Sequence, residues 1–370
     1  MHSRVTSRSA AKRRGNDENL ESGLSRKAIA NVWHTESTML AVLIINYRTA
    51  QATLACLESL LPELPQGAVV HLLDNGSGED DVAILRAYVD RNSEIIRFDT
   101  SEQNLGFAAG MNRLIAKAFT DPNVDQVLLL NSDTVATPGF ITAMQAKLDP
   151  ERRIDMVAAK LLHADRDEAE SLGITIYRST LASNRKREDE VLLGPTGGCA
   201  LLTRRMLDDL LASHGEWFDE SFFCYAEDTD LMLRARWLGY DAAYAPDAVV
   251  RHSGSLSSGG PDNTFVLYHG IRNSIWWLYK NAPTGWLLRS LPWFITLHIA
   301  ICLRHLRRGN GKVLWQLYRD AWNGISGLKS KRERIKQNRR MDVSRFGKIS
   351  DPAFYQKAYA KRALRELFKH

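Results

Sequence analysis

The first pattern along the chain is an absence. Residues 1–37 are polar, rich in Ser, Arg and Asn, with no apolar period and no apolar stretch of a secretory signal. Their composition predicts a disordered basic arm. From Met39 the pattern changes. "MLAVLIIN" is a continuous apolar run ending at Asn46, as expected of a strand buried on both faces. Leu54, Leu57, Leu60 and Leu61 then recur at helical steps. "AVVHLLD" predicts a second strand closing at Asp74, and the turn "NGSGED" leads into a helix carrying Val82, Leu85 and Val89. "EIIRF" is a shorter third strand, "GFAAGMNRLIAKAF" a third helix and "DQVLLLNSD" a fourth strand. Strands alternating with helices at this spacing imply right-handed crossovers. The expected fold is α/β, a mostly parallel central sheet with helices on both faces, over residues 38–262.

Beyond Asp149 the rhythm loosens. "SLGITIYRS" and "DEVLLGPTGGCALLTRR" predict less regular β structure around Gly197 and Gly198. "EDTDLMLRARWLGY" is a helix with Leu231, Ala235 and Leu238 on one face. "DAAYAPDAVVRH" is either a strand pair or a strand and turn. From Phe265 the chain turns helical, aromatic and basic, giving a helical region over 263–340 and a basic tail over 341–370. Its apolar stretch Leu291–Leu303 is thirteen residues, too short for a helix spanning about 30 Å of hydrocarbon. With Trp276, Trp277, Trp286 and Trp293 beside Lys and Arg, the region is read either as membrane-interfacial or as packed on the body.

Composition narrows the classes. With 370 residues, 44% hydrophobic and 25% charged, a sizeable core is available and a wholly disordered chain is excluded. Four scattered cysteines without a Cys-x-x-Cys pair argue against a zinc ribbon or a secreted disulfide framework and suit the cytoplasm. The net charge of +6 hides an asymmetry: residues 304–370 carry 19 Lys and Arg against 5 acids, and residues 1–37 carry 7 against 4, leaving −11 between them. A basic segment beside apolar helices points to peripheral contact with an anionic membrane face. "KSKRERIKQNRR" has no interleaved aromatics, so no nucleic-acid partner is expected.

The candidate chemistry gathers at strand ends. Asn46, Asp74, Asn104 and the run Asn131-Ser132-Asp133 follow strands at one edge, where open α/β sheets bind ligands. Turn formation explains one such residue better than it explains four. Asp133 suits a hard divalent cation that also touches a diphosphate. Glu227, Asp228 and Asp230 place three mutually repelling carboxylates in four residues, more than helix capping requires. Residues 227 and 228 diverge by about 100° on a helix, so one can bind a ligand while the other accepts a proton. His252 ends a strand; beside Asp133 it would favour Mg2+ or Mn2+. Gly106 opens a helix whose amides suit a phosphate or sugar hydroxyl. Gly197 and Gly198 either line a sugar or acceptor pocket or make an ordinary turn. Trp217, like Phe222, is either a sugar platform or core. Walker, dinucleotide-turn, nucleophile-elbow and His-Glu-x-x-His motifs are missing.

The segments "VLIINYRTAQATLACLESLL", "HLLDNGSGEDD", "NLGFAAGMN", "VLLLNSD", "GPTGGCALLTRR", "FDESFFCYAEDTDLMLRARWLGY" and "VVRHSG" together resemble the family 2 inverting nucleotide-sugar glycosyltransferases, in particular a bacterial rhamnosyltransferase-like branch, over about residues 40–280. The resemblance implies a GT-A fold and inverting transfer from a nucleoside diphosphate sugar to a glycan or lipid-linked acceptor in cell-surface polysaccharide synthesis, with dTDP-L-rhamnose the first donor expected. It implies nucleotide contacts by Asn46, Asp74, Asn104, Gly106 and Ser132, with Asp74 on the base. Metal, Mg2+ or Mn2+, falls to Asp133 and His252, because the first position of the Asp-x-Asp motif is Asn131. Asp228 is the expected base with Glu227 beside it. The acceptor and sugar side falls to Gly197, Gly198, Trp217 and Asp230. Two other readings are a catalytically silent scaffold in a polysaccharide complex and a sugar-1-phosphate nucleotidyltransferase. The repelling acids argue against the first; the missing Gly-rich basic activation loop argues against the second.

Overall fold

The computed structural model describes residues 39–253 and 263–356. The expected N-terminal arm and the last residues of the tail lie outside them. The alternating pattern becomes β1 (Met39–Asn46), α1 (Ala50–Leu60), β2 (Val69–Asn75), α2 (Glu79–Val89), β3 (Ile96–Ser101), α3 (Gly106–Ala118) and β4 (Val124–Leu130). These four strands pair in parallel in the order β3-β2-β1-β4. The apolar runs of β1, β2 and β4 are buried on both faces because helices cover both sides of the sheet, whereas β3, at the edge, is only partly buried.

The second half completes and mixes the sheet. It adds β5 (Thr134–Ala136), α4 (Phe140–Gln145), β6 (Ile154–His163), β7 (Ala169–Ser171), β8 (Ile174–Ile176), β9 (Ala182–Asn184), β10 (Cys199–Thr203), α5 (Arg204–His214), α6 (Glu227–Trp237) and β11 (Asp241–His252). β10 runs antiparallel between β4 and β6, and β11 runs parallel to β6. β8 and β9 form a separate hairpin. "DAAYAPDAVVRH" is therefore one strand, with its register broken between Tyr244 and Val249, around Pro246.

Three helices follow: α7 (Thr264–Asn281), α8 (Thr284–Arg307) and α9 (Gly311–Asn338). The division expected at 263 is no break in packing. Trp276, Trp277 and Leu278 of α7, Leu328 and Ile335 of α9, and Phe346 beyond it join the same core as Leu231 and Leu233 of α6 and Leu129 of β4. Trp276 and Trp277 are thus core residues, not interfacial ones. α8 has 24 residues, about 36 Å at helical rise. The thirteen-residue limit read from the apolar run fails because helical periodicity continues through its polar flanks. Part of the basic tail expected over 341–370 is docked on the body: Phe346 stacks on Trp237 at 5.4 Å and Asp351 N–H donates to the Ile176 carbonyl.

Candidate functional site

The parallel register sets Asn46 opposite Asp74 at the carboxyl edge of the sheet. There a cleft of about 860 Å3 opens, lined by strand-end loops, the starts of α3, α6 and α7, the β8–β9 hairpin, and Tyr355 and Gln356. Its size suits a nucleotide-sized ligand.

The acidic helix start is held in an unusual conformation. Phe223, Tyr225 and Ala226 have φ of 65°, 68° and 66°, and none is glycine. Phe223, with ψ −67°, is the centre of a γ-turn closed by Cys224 N–H on the Phe222 carbonyl at 2.8 Å. Asn273 of α7, fully buried, donates from Nδ2 to the carbonyls of Phe222, Cys224 and Tyr225 at 2.9, 2.8 and 2.7 Å. This clamp fixes the loop that starts α6.

Asp228 then faces the cleft. Its Oδ2 accepts the Gly197 N–H at 3.1 Å and its Oδ1 the Thr229 N–H at 2.6 Å. Burial pushes its carboxyl above the ordinary range, opposed by those two amides. Glu227 is pushed up further, by burial and then by the Asp228 charge, and its Oε2 has no hydrogen-bond partner. Gly197 also needs its missing Cβ, which would lie 3.0 Å from the Phe107 ring. The Gly198 carbonyl accepts Asn131 N–H at 3.0 Å, tying the Gly197-Gly198 turn to the strand-end loop.

At that loop Asp133 and His252 converge from β4 and β11. His252 Nε2 lies 3.0 Å from Asp133 Oδ1, and Nδ1 lies 2.8 Å from Glu170 Oε2. Burial alone would lower the His252 pKa, but the bonds to Asp133 and Glu170 raise it to about 9. The ring is therefore a cation at neutral pH and must lose a proton to bind metal. Among the described residues no cluster of three or more His, Cys, Asp or Glu is arranged to hold a metal. The pair Asp133 and His252 nonetheless fits Mg2+ or Mn2+, which take one or two protein ligands and complete their shell with phosphate oxygens and water. Glu170, which carried no sequence motif, orients the imidazole.

Asn104, Gly106 and Ser132 line the cleft, as do Gly197 and Gly198. Asn46 and Asp74 do not. Asn46 Nδ2 donates to Asp74 Oδ2 at 2.8 Å, and Asp74 Oδ1 accepts Ser77 N–H at 3.0 Å, so both buried side chains brace the turn after β2. Tyr47 and Asn75, their chain neighbours, line the cleft in their place. The one-residue offset follows from strand alternation, which sends successive side chains to opposite faces. Trp217 packs edge-on against Phe119 at 5.9 Å, outside the cleft lining. Asp230 is fully buried, bound by Arg234 Nε at 2.8 Å, Lys280 Nζ at 2.9 Å and Asn281 Nδ2 at 2.7 Å. Burial would raise its pKa; Lys280 and Arg234 hold it below the ordinary range. Trp217 and Asp230 are thus structural, not acceptor-binding. Asn273, Glu170 and the cleft wall from α7 were not legible in the sequence, because long-range packing alone brings them there.

Residues 41–211 match the glycosyl transferase family 2 profile. No curated protein matches the chain. Among solved structures, a mannosyltransferase from Pyrobaculum calidifontis in complex with GDP-Man and Mn2+ superposes with a TM-score of 0.50 at 13% identity, over 86% of this chain and 93% of that one. GalNAc-T7 with UDP, GalNAc and Mn2+ gives 0.54 at 14% identity, over 76% of this chain and 55% of that one. The chain thus spans little more than half of GalNAc-T7, and at these identities the likeness is one of fold. Residues 41–211 of this chain thus resemble glycosyl transferase family 2, and its fold is GT-A-like.

Proposed function

We propose that Asp228 is the general base of an inverting sugar transfer. The observation that carries this reading is a cleft-facing carboxylate at a helix start, raised in pKa and aimed by the Gly197 and Thr229 amides. The acceptor O–H gives its proton to Asp228 Oδ2 while its oxygen bonds the anomeric carbon from the face opposite the leaving group. The bond from that carbon to the phosphate oxygen breaks, and the nucleoside diphosphate leaves. One base suffices, and no covalent sugar–enzyme intermediate forms. Asp133 and His252 would hold a divalent cation, which when bound neutralises charge on the leaving diphosphate. Asn104, Gly106 and Ser132 are assigned to the nucleotide side and Gly197 and Gly198 to the sugar side.

The donor proposed first is dTDP-L-rhamnose, on the motif resemblance; GDP and UDP sugars come next, because the neighbouring folds were solved with GDP-Man and with UDP. The proposed acceptor is a glycan or lipid-linked saccharide of a cell-surface polysaccharide, met at the cytoplasmic face. The test is transfer from a panel of these donors by the full-length chain with Mn2+. Asp228→Asn is expected to lower kcat by about 10²–10⁴-fold, with nucleoside diphosphate affinity kept. Equal loss of affinity and rate makes Asp228 a donor-site group instead. No transfer from any donor by the wild type favours the silent scaffold.

A further inference from the structure

α8 has two unlike faces. At 100° per residue, Leu288, Leu291, Ile295, Ile299, Leu303 and Leu306 fall within an arc of about 120°, and all six are exposed. They run for about 27 Å along the helix. The other side is occupied: Ser290 and His298 are buried, Phe294 packs on the main core, Trp293 meets Phe354 at 5.9 Å, and His298 Nδ1 lies 2.8 Å from the Tyr318 hydroxyl of α9. Trp315 and Trp322, 71% and 77% exposed, sit about 40–60° round α9 from Tyr318. They therefore flank α8 instead of facing the core. A shallow groove of about 380 Å3, lined by Ile295, Ile299, Leu303 and Tyr318 among others, runs between the two helices. Residues 284–322 hold six Lys and Arg against one acid, Asp320. Exposed Arg289 and Arg307 stand about 100° from the middle of the stripe, at its border. An apolar stripe of this extent on a surface calls for a cover.

We propose that the α8 stripe, with Trp315 and Trp322, docks on an anionic lipid bilayer, α8 lying in the plane of the interface. The six aliphatic side chains enter the acyl boundary, the indoles sit at headgroup level, and Arg289, Arg307 and Lys312 meet lipid phosphates. α8 is long and apolar enough to cross a bilayer. Crossing would pull its packed face from Tyr318 and Phe354, or carry the charged residues of α9 into hydrocarbon. A second copy of the chain is the competing cover. The bordering cations favour an anionic lipid surface over a copy bearing the same charges. His305, between Leu303 and Leu306, also lines the cleft, so the docking face and the cleft meet at the end of α8. A hydroxyl carried by a membrane lipid would reach the cleft from this side; that consequence rests on the transferase reading, whereas the docking does not.

The test is flotation of the full-length chain with phosphatidylglycerol–phosphatidylcholine vesicles and with phosphatidylcholine vesicles alone, at low salt. Binding to the anionic vesicles is expected to be at least about tenfold tighter, and alkaline carbonate is expected to release the protein. Ile295→Glu/Ile299→Glu and, separately, Trp315→Ser/Trp322→Ser are each expected to lower partition at least about tenfold. Circular dichroism and melting temperature should stay as in the wild type, because these side chains are exposed. The proposal is overturned if the wild type stays unbound, or if both double variants bind as it does. Retention through carbonate replaces in-plane docking by crossing. A wild-type dimer that Ile295→Glu/Ile299→Glu disperses, without vesicle binding, assigns the face to a second copy. No turnover is read, so any of these failures leaves the role of Asp228 standing.

Discussion

Replacing Asn273 with leucine keeps the side chain's size and branching but removes the amide that holds the loop before α6. The Phe222 carbonyl keeps other donors, Arg272 Nη2 at 3.1 Å and Cys224 N–H at 2.8 Å. The Cys224 and Tyr225 carbonyls lose the donor that reaches them at 2.8 and 2.7 Å. An orphaned buried acceptor costs about 1–3 kcal/mol, so two cost about 2–6 kcal/mol; cleft water reaching them pulls the value toward the lower end. The three left-handed residues of the loop store about 1–3 kcal/mol each, a sum of the same size as the clamp. Without the clamp the loop is expected to relax and carry Asp228 away from Gly197. A displacement near 1 Å at the base costs about 100-fold in rate. The assay pairs transfer kinetics with urea unfolding and calorimetric binding of the nucleoside diphosphate. The expected result is a lower unfolding midpoint and a kcat reduced about 100-fold, with nucleotide affinity within twofold of wild type. An Asn273→Leu protein with wild-type kcat and midpoint refutes the clamp.

Glu227→Gln is expected to stabilise the fold at neutral and alkaline pH. The folded pKa of Glu227 lies well above its ordinary 4.5, so both states are protonated below that value, and the cost of burying the charge appears as pH rises through the folded pKa; melting curves across pH check that the gain disappears in acid. For the same reason transfer should fall on acidification with a limb above 3.8, where Asp228 takes up its proton. Gly106→Ala is expected to lose more than about 1–2 kcal/mol from its left-handed φ alone, because the new Cβ also meets the Phe223 carbonyl at 2.5 Å; urea unfolding and kcat should fall together. Lys280→Met removes a 1% exposed cation from Asp219 at 2.7 Å and Asp230 at 2.9 Å, a loss of about 3–5 kcal/mol. Both carboxyls are held below their ordinary range, so that stabilisation is present above it and lost on acidification. The gap between variant and wild type in urea midpoint should narrow as pH falls; a constant gap would count against the ion cluster.

The sequence by itself determined the alternating half of the fold. Runs such as "MLAVLII" and "VLLL" are apolar without interruption because both sheet faces are covered, and that pattern is local. It also marked the strand-end edge and the acidic helix start, since turn chemistry and repelling carboxylates are visible in a few adjacent residues. Tertiary structure alone decided which member of each group does what. Asn46 and Asp74 turn inward to brace a loop while Tyr47 and Asn75 line the cleft, a difference of one residue in a period of two. Asp228 faces the cleft while Asp230, half a turn on, is neutralised by Lys280 from a helix 50 residues away. Trp276 and Trp277 enter the core, and Trp315 and Trp322 are left outside. No composition or spacing separates these cases, because a side chain's role is set by what packs against it, and those partners come from distant parts of the chain.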